Sequence, residues 1–370
     1  MNKKEKLTVD NKVKSKAVVK AEDIAFKVVK DKEKQLNGFY KDIVCNSAEE
    51  KDALVKAILV INSCVELIEK HSNISFNLNN YNSFKSEYCS YIDCLEAHAC
   101  AVKDIKIIDK IKNIFRGKIY KYLCKSEISA RAHGKPFGYP GDYLMLQYLY
   151  DMRVISEANI GKYFDRMYLD DPLTIAVINR VNVMANKVIE FIRKSDKKEI
   201  HILNIASGSG FDIKKVVSQK YGKKVKFYCV DQEFTSLGYI KSFVENSNTD
   251  IEFVYCKEDI KNFFKGINGD QSFDYIYNIG LADYLPDRVL KSLMQNCINT
   301  LSNNGQFVLA HKDYNKFPFK YPDWSVDWQF IHRSEEDYRN FIKNNLSCFS
   351  SFDISYESKK EIIYFGTFIK

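Results

Sequence analysis

Hydrophobic positions change their spacing part-way along the chain. Between about residues 36 and 190, apolar residues recur three and four positions apart, for example at 53–55, 57–60 and 65–68, and turn dipeptides are scarce. Residues at this spacing share one face of a helix, so the pattern predicts packed amphipathic helices. A helical N-terminal domain over residues 36–192 is therefore expected.

After a charged linker at residues 193–199, short apolar runs rich in β-branched and aromatic residues alternate with helical segments. These runs occupy residues 200–206, 225–230, 251–256, 273–279 and 306–310. Such alternation predicts a parallel sheet with helices on both faces. Two final runs, 352–357 and 362–369, are separated only by a short turn and predict an antiparallel hairpin. The expected second domain is an α/β, Rossmann-like sheet over residues 193–370.

Charge and cysteine usage refine this picture. The formal net charge is +8 and is concentrated partly in residues 1–35, which are expected to form a basic, flexible tail. No run of about 18 apolar residues and no hydrophobic leader is present, which predicts a cytoplasmic protein without a membrane span. The ten cysteines are scattered, so reduced thiols are expected. The nearest cluster, Cys89, Cys94, His98 and Cys100, lacks paired CxxC spacing, so no metal site is expected.

A loop rich in glycine and proline, residues 134–143, interrupts the helical pattern. This composition is incompatible with a helix interior, and shaped loops often carry function. The loop is expected to act as a lid over a cofactor, with Tyr139, Asp142, Tyr143 and the preceding Arg131 as candidate contacts. The alternative is a rigid turn between helices, held by aromatic packing.

The first predicted strand runs directly into a glycine turn made of Ala206, Ser207, Gly208, Ser209 and Gly210. Glycine is needed there because the backbone must turn sharply and approach a ligand closely. The second strand ends at Asp231 and Gln232, and a carboxylate at that place can accept hydrogen bonds from both ribose hydroxyls of a bound nucleoside. The alternative for Asp231 is capping of the next helix.

The third and fourth predicted strands deliver further candidates to the same sheet edge. Asp259 and Ile260 follow the third strand, where a carboxylate and a backbone amide can contact adenine; the alternative for Asp259 is a helix cap. Asn278 and Gly280 follow the fourth strand, where small residues allow a cofactor to lie against the backbone. Ligands of such folds bind at the carboxyl ends of the strands.

Candidates for contact with a substrate are Asp283 and Tyr284 after the fourth strand and His311 after the fifth. His311 is a candidate general base, and a packed or solvent-exposed histidine is the alternative. Lys312 could pair with an anionic acceptor, or it could be an ordinary surface lysine.

The glycine turn, the acids after strands two and three, and the final hairpin resemble a Class I S-adenosylmethionine (SAM)-dependent methyltransferase over residues 195–370. Three further stretches, 135–143, 280–288 and 327–333, are similar to the bacterial methyltransferases identified as extracellular factor (3-hydroxypalmitic acid methyl ester) biosynthesis proteins. The resemblance implies SAM as cofactor, S-adenosylhomocysteine (SAH) as product, and a seven-stranded methyltransferase sheet preceded by an all-α domain. The turn departs from that family, whose glycine loop more often carries a Cys-Gly-Pro sequence.

Three functions follow as expectations. The resemblance implies methylation of a small molecule, such as O-methylation of a fatty or hydroxy-acid carboxylate. RNA or protein methylation rests only on the basic charge, and the remaining features disfavour a nucleic-acid partner. The third is a non-catalytic SAM-binding module whose helical half binds a partner. A homodimer formed through the helical half is also considered.

Overall fold

The computed structural model describes residues 47–102, 104–267, 271–317 and 320–370, so the predicted basic tail at 1–35 lies outside the described residues. The chain divides into two compact units. In the described residues, we call them the helical unit (up to 134, with 154–167 and 320–328) and the sheet unit (135–153, 168–317 and 329–370). This division differs from the predicted boundary at 192/193.

The difference concerns segments that helical periodicity alone cannot assign. Loop residues 135–142, the helix that follows them and the helix ending at Lys194 group with the sheet, whereas residues 320–328 group with the N-terminal helices. Periodicity identifies a helix, but packing partners depend on contacts between residues far apart in sequence.

The sequence pattern predicts helices in these regions without their individual bounds, which the structure gives. They are α1 (Ala48–Ser72), α2 (Leu78–Ala101), α3 (Ile105–Leu123), α4 (Glu127–Gly134), α5 (Tyr143–Asp151), α6 (Asn159–Leu169), α7 (Pro172–Lys194), α8 (Phe211–Val217), α9 (Phe234–Glu245), α10 (Ile260–Gly266), α11 (Asp287–Thr300), α12 (Lys320–Val326) and α13 (Glu335–Asn345). A short 3₁₀ helix spans Ala282–Tyr284.

Side-chain caps start the long helices of the helical unit. The side chains of Ser47, Asn77 and Asp104 accept backbone N–H groups at the starts of α1, α2 and α3. The core of this unit contains a cluster of buried rings in mutual contact. Its members include His71, Phe84, Tyr88, Tyr163 and Phe164.

Helix α12 contributes the largest buried side chain of the helical unit. Trp324 is 0% exposed, packs edge-on against Phe115 and donates its indole N–H to Glu96. Next to it, Asp323 accepts a hydrogen bond from Lys112 Nζ at 2.6 Å. A segment that follows the fifth strand is therefore part of the core of the helical unit.

The sheet unit is built on seven strands in the order β3-β2-β1-β4-β5-β7-β6. They are β1 (Glu199–Ile205), β2 (Lys224–Asp231), β3 (Glu252–Lys257), β4 (Phe273–Asn278), β5 (Leu301–Lys312), β6 (Ser351–Tyr356) and β7 (Ile363–Ile369). Strands β1 to β5 pair in parallel, and β7 pairs antiparallel with both β5 and β6. The sheet and the helical region before it confirm the predicted Rossmann-like methyltransferase fold.

Burial explains why the central strands are so apolar. All six residues of β4 are buried, as expected for a parallel strand covered by helices on both faces. On one face, Leu203, Ile276 and Phe307 join a core cluster with Leu293 and Phe341. The order 3-2-1-4 reverses direction between β1 and β4, and the crevice at the carboxyl ends of these two strands is the place where open α/β sheets bind ligands.

Among the described residues, no helix combines the length and the apolar character that crossing a bilayer requires. The cysteines in the described ranges are free thiols.

Candidate functional site

The glycine turn after β1 has an unusual backbone. Ala206, Gly208 and Gly210 have φ angles of 52°, 55° and 58°, so alternate residues adopt the left-handed conformation that glycine tolerates best. Ser207 between them donates its backbone N–H to Val230 O of β2 at 3.1 Å, which ties the turn to the neighbouring strand. Ser209 is buried in the same turn.

The two glycines of the turn have different surroundings. A Cβ atom on Gly210 would lie 2.7 Å from Cγ1 of Ile240, so this position has no room for a side chain. A Cβ on Gly208 would meet only the carbonyl oxygen of Ala206, at 4.0 Å. Gly208 therefore borders open space at the carboxyl end of β1, a cradle that any side chain would fill.

Asp231 lies directly against this turn. Its Oδ2 accepts the backbone N–H of Gly208 at 2.8 Å, and its Oδ1 accepts the N–H of Glu233 at 2.9 Å. Ser236 completes the arrangement, because its hydroxyl donates to Gly208 O at 2.6 Å. Burial raises the pKa of Asp231, and these backbone N–H donors oppose the rise. Helix α9 begins after Glu233, its N-cap residue, so Asp231 is held at the turn rather than at the cap position.

The candidates after β2 and β3 are more exposed. Gln232 is exposed, and Ile260 is half-buried as the first residue of α10. Asp259 is exposed and caps α10, because its Oδ1 accepts the N–H of Lys261 at 2.9 Å. This geometry favours the capping alternative for the Asp259 side chain, while an adenine contact at 259–260 stays a prediction.

Asn278 is buried and joins β1 to the turn after β4. Its Nδ2 donates to Ile205 O at 2.7 Å, and its Oδ1 accepts the N–H of Leu281 at 3.1 Å. The side chain thus shapes the crevice by binding backbone on both of its sides. Gly280, two positions on, faces a guanidinium group: a Cβ there would lie 3.4 Å from Nη2 of Arg180.

Three buried polar residues at this crevice were missed by sequence reasoning. Tyr277 donates its hydroxyl to Asp212, which sits in the first turn of α8, and burial raises the pKa of Asp212 to about 6 against that hydrogen bond. Arg180 lies on α7, is 6% exposed, and has no hydrogen-bond partner at Nε. The signal was available: Arg180 falls in the stripe of α7 that also buries Ala176, Val177 and Met184, where an apolar residue is expected.

Asp283 is a buried carboxylate surrounded by donors. Its Oδ1 accepts the backbone N–H of Lys312 at 3.0 Å and lies 3.1 Å from Nδ1 of His311. Its Oδ2 lies 3.7 Å from Lys312 Nζ and 4.0 Å from Arg180 Nη1. Burial raises the pKa of Asp283, but the charges of Lys312, His311 and Arg180 together bring it below its usual value.

His311 has both ring nitrogens engaged inside the protein. Nδ1 lies 2.8 Å from Lys312 O and 3.1 Å from Asp283 Oδ1, both of which only accept, so Nδ1 carries the proton. Nε2 then accepts from Nη1 of Arg333 at 3.2 Å. The ring is 1% exposed and stacks on Tyr364, and burial lowers its pKa. The geometry favours the packing alternative, in which His311 positions Asp283.

Lys312 contributes a buried ammonium to this group, and its Nζ lies 3.7 Å from Oδ2 of Asp283. Burial lowers its pKa to about 7, against the attraction of Asp283. Its Nζ lies over the ring of Phe330, and the same ring is in tilted contact with Tyr284. Asp283, Tyr284, Lys312 and Phe330 thus come together at the carboxyl ends of β4 and β5.

Loop residues 135–142 have their own contacts within the sheet unit. Asp142 is 2% exposed and caps α5, accepting the N–H groups of Leu144 and Met145. Tyr143 is buried, whereas Tyr139 is half-buried. The hydroxyl of Tyr284 donates to Pro140 O at 3.5 Å. A residue that is a candidate for contact with the methyl acceptor therefore also contacts the loop.

Helix α5 contacts α8, which follows the glycine turn, and α9, which follows β2. Gln147 donates to the hydroxyl of Tyr239, which also accepts from Lys214 Nζ at 2.7 Å. Tyr150 packs on Phe211 with ring centroids 4.6 Å apart. These contacts favour a fixed turn on the C-terminal side of the loop, and a lid role stays a prediction. Arg131 belongs to the helical unit, and its cofactor role stays a prediction.

Comparisons with known proteins concern the fold. No protein-family model and no curated protein matches the chain. A possible exported protein from Bordetella parapertussis is similar over 85% of this chain and 96% of its own, with 11% identity and a TM-score of 0.50. The CurJ carbon methyltransferase is similar over 93% of this chain and 98% of its own, with 11% identity and a TM-score of 0.48. Magnesium protoporphyrin IX methyltransferase from Synechocystis PCC 6803 with bound SAM is similar over 56% of this chain and 89% of its own, with 11% identity and a TM-score of 0.37. At 11% identity, the first likeness shows a shared fold.

Proposed function

We propose that the chain is a SAM-dependent methyltransferase that acts on a small-molecule acceptor. The observation that carries the proposal is the hydrogen bond between the glycine turn and Asp231, at the carboxyl ends of β1 and β2. In Rossmann-like sheets this is the place where a nucleoside ligand lies, with its ribose on the acid after the second strand. The cradle at Gly208 fits such a ligand, because a Cβ there would enter open space.

The residues that would hold the cofactor are those of the turn at 206–210, together with Asp231 for the ribose and residues 259–260 for the adenine. The cofactor supplies an electrophilic methyl group on a sulfonium. The carboxylate of Asp231 is 7% exposed and uses one lone pair of each oxygen for backbone N–H groups. Each carboxylate oxygen can accept a second hydrogen bond, so ribose hydroxyls can still be bound.

Methyl transfer is an in-line displacement, so the chain must chiefly align the acceptor and exclude water. Alignment can contribute about 7–11 kcal/mol in well-oriented cases. Asp283, Tyr284 and Lys312 are the groups brought together where an acceptor would lie, at the ends of β4 and β5. In its finer form, the proposal names a fatty or hydroxy-acid carboxylate as acceptor. The family resemblance supports it, and the ammonium of Lys312 can pair with such an anion, which needs no general base.

Calorimetry of the full chain with SAM and SAH tests the cofactor. Binding of both, lost in Asp231→Ala, supports the proposal, and binding of neither overturns it. Turnover is then tested with a radiolabelled methyl donor and fractionated metabolites, lipids and RNA. Label in the lipid or metabolite fraction supports a small-molecule acceptor, whereas label in RNA contradicts it. SAM binding without transfer to any fraction would indicate a non-catalytic module.

A further inference from the structure

Arg180 has donors that its neighbours do not use. The side chain is 7% exposed, yet the nearest carboxylate oxygen among its ion pairs, Asp283 Oδ2, lies 4.0 Å from Nη1, beyond hydrogen-bond distance. Its Nε has no partner at all. A buried guanidinium that served only packing or charge balance would be expected to have its fork of N–H donors satisfied, because unsatisfied buried donors are costly.

The position of Arg180 connects both sides of the crevice between β1 and β4. On the β1 side, its charge acts on Asp212 in the first turn of the helix that follows the glycine turn. On the β4 side, its Nη2 would lie 3.4 Å from a Cβ on Gly280. The absence of a side chain at Gly280 therefore lets the guanidinium approach the backbone of the turn after β4.

The neighbours of Arg180 leave its Nε without a partner, although its side chain forms a hydrogen bond with Tyr150. Asp212 is committed to the hydroxyl of Tyr277, and Asp283 gives its Oδ1 to the backbone of Lys312 and to His311. A planar carboxylate from a ligand would match the guanidinium fork and bind it through two parallel hydrogen bonds.

We infer that Arg180 binds the α-carboxylate at the amino-acid end of the methyl donor. The inference rests on the proposed function, and it adds a specific residue and ligand group to it. The donor is favoured over the acceptor as the source of the carboxylate because Arg180 lies between the glycine-turn helix and Gly280, at the reversal point of the strand order.

Calorimetry with two ligands tests the inference. SAH carries the amino-acid end, and 5′-methylthioadenosine has the same adenosine and thioether without it. Arg180→Met should weaken SAH binding by at least about tenfold, as expected for loss of a charge-assisted pair, and should change methylthioadenosine binding by less than about twofold. Arg180→Lys keeps the charge without the planar fork of donors, so its SAH affinity should lie between those of the wild type and Arg180→Met.

Arg193→Met is the matched control, because Arg193 lies on the same helix but is exposed. It should bind both ligands like the wild type. Arg180→Lys provides a second route that keeps a buried positive charge in place, and it should weaken SAH binding selectively but by less than Arg180→Met. This variant decides the question if Arg180→Met does not fold.

Two results would overturn the inference. One is unchanged SAH affinity in Arg180→Met and Arg180→Lys, which would mean that another residue binds the carboxylate. The other is an equal loss of affinity for both ligands in folded variants, which would mean a structural role. Failure of the proposed function is distinguishable, because the wild type would then bind neither ligand.

Discussion

The backbone N–H of Gly208 donates a hydrogen bond to Oδ2 of Asp231 at 2.8 Å. The bond joins the two parts of the chain that would hold opposite ends of an adenosyl ligand. It also means that Asp231 has two tasks, since the carboxylate both fixes the turn and offers its remaining lone pairs to the crevice. Substitutions at Asp231 and Gly208 should therefore affect ligand binding and local stability in separable ways.

Replacing Asp231 by asparagine keeps the volume of the side chain but removes its charge. One oxygen remains to accept a backbone N–H, so we expect the fold to persist. Hydrogen bonds to a charged group contribute about 1.5–3 kcal/mol, which corresponds to an expected loss of SAH affinity of roughly tenfold to a hundredfold. Calorimetry with SAH measures this loss.

Asp259→Asn tests the other candidate acid in the same way. Asparagine caps helices as well as aspartate does, so α10 should be unaffected. Unchanged SAH affinity would mean that Asp259 only caps the helix, and a clear loss would support its contact with adenine. Wild-type SAH affinity in Asp231→Asn would contradict the assigned ribose site.

Three glycine-to-alanine variants separate backbone strain from ligand exclusion. Gly208 and Gly222 have φ angles of 55° and 62°, and neither has a close neighbour that a Cβ would strike. Both variants should therefore lose about 1–2 kcal/mol of stability through the left-handed backbone alone. Only Gly208→Ala should also abolish SAH binding, because its methyl enters the cradle. Chemical denaturation and calorimetry measure the two effects.

Gly210→Ala should be the most destabilising of the three, since its Cβ would also lie 2.7 Å from Ile240. Equal stability of Gly210→Ala and Gly222→Ala would show that the helix after the turn can shift to make room. SAH binding by Gly208→Ala at wild-type affinity would place the ligand elsewhere.

Much of the fold could be predicted because its signals are local. Each of β1 to β5 contains a short apolar run between helical segments, and the run at 273–279 corresponds to β4, whose residues are all buried. The start of β5 at Leu301 lies ahead of the predicted 306, and the polar residues there fall where the pairing of β5 with β4 is irregular. Such residues carry no hydrophobic signal of their own.

The helical unit shows what local signals cannot supply. Trp324 and Trp328 lie in a connection after β5, and this position predicts either the wall of an apolar acceptor site or core packing. Trp324 fills the core of the helical unit, against Phe115, in agreement with core packing. The sequence separation between these two residues is large, and nothing in either local pattern indicates their contact.

The candidate site divides in the same way. The glycine turn and Asp231 could be identified because backbone geometry after a strand demands particular residue types. The environment of His311 could not be predicted, because it depends on contacts of its two ring nitrogens with Asp283 and Arg333. Arg180 lies between these cases: its place in an apolar stripe is visible in the sequence, but the groups around its guanidinium are not.

Asp323→Asn should destabilise the helical unit. The ion pair of Asp323 with Lys112 joins side chains that are only 23% and 14% exposed, so its loss should cost about 1–2 kcal/mol. Both tryptophans of the chain lie in this unit, and their fluorescence during urea unfolding reports on it. Asp52→Asn, which breaks an exposed pair with Lys56, should change stability by less than about 0.5 kcal/mol. Equal effects would mean that the buried pair contributes no more than a surface pair.

The stability of the sheet unit should depend on pH through Lys312. In the unfolded chain its pKa is near 10.5, whereas burial lowers the pKa to about 7 in the fold. Between these values the unfolded chain binds one more proton at Lys312 than the folded chain. The contribution of Lys312 to the free energy of unfolding therefore rises with pH. Lys312→Met removes the titrating group, so its stability should rise less steeply from about pH 7 to about pH 9.

Urea denaturation across that window, followed by far-ultraviolet circular dichroism, compares the slopes. Lys316→Met is the matched control, because the side chain of Lys316 is 46% exposed and its removal should leave the slope unchanged. Tyrosines and cysteines that titrate at the alkaline end are common to all variants, so they cancel in the difference. Parallel curves for Lys312→Met and the wild type would show that Lys312 stays charged in the fold. In that case it could pair with an anionic acceptor but could not take a proton from one near neutral pH.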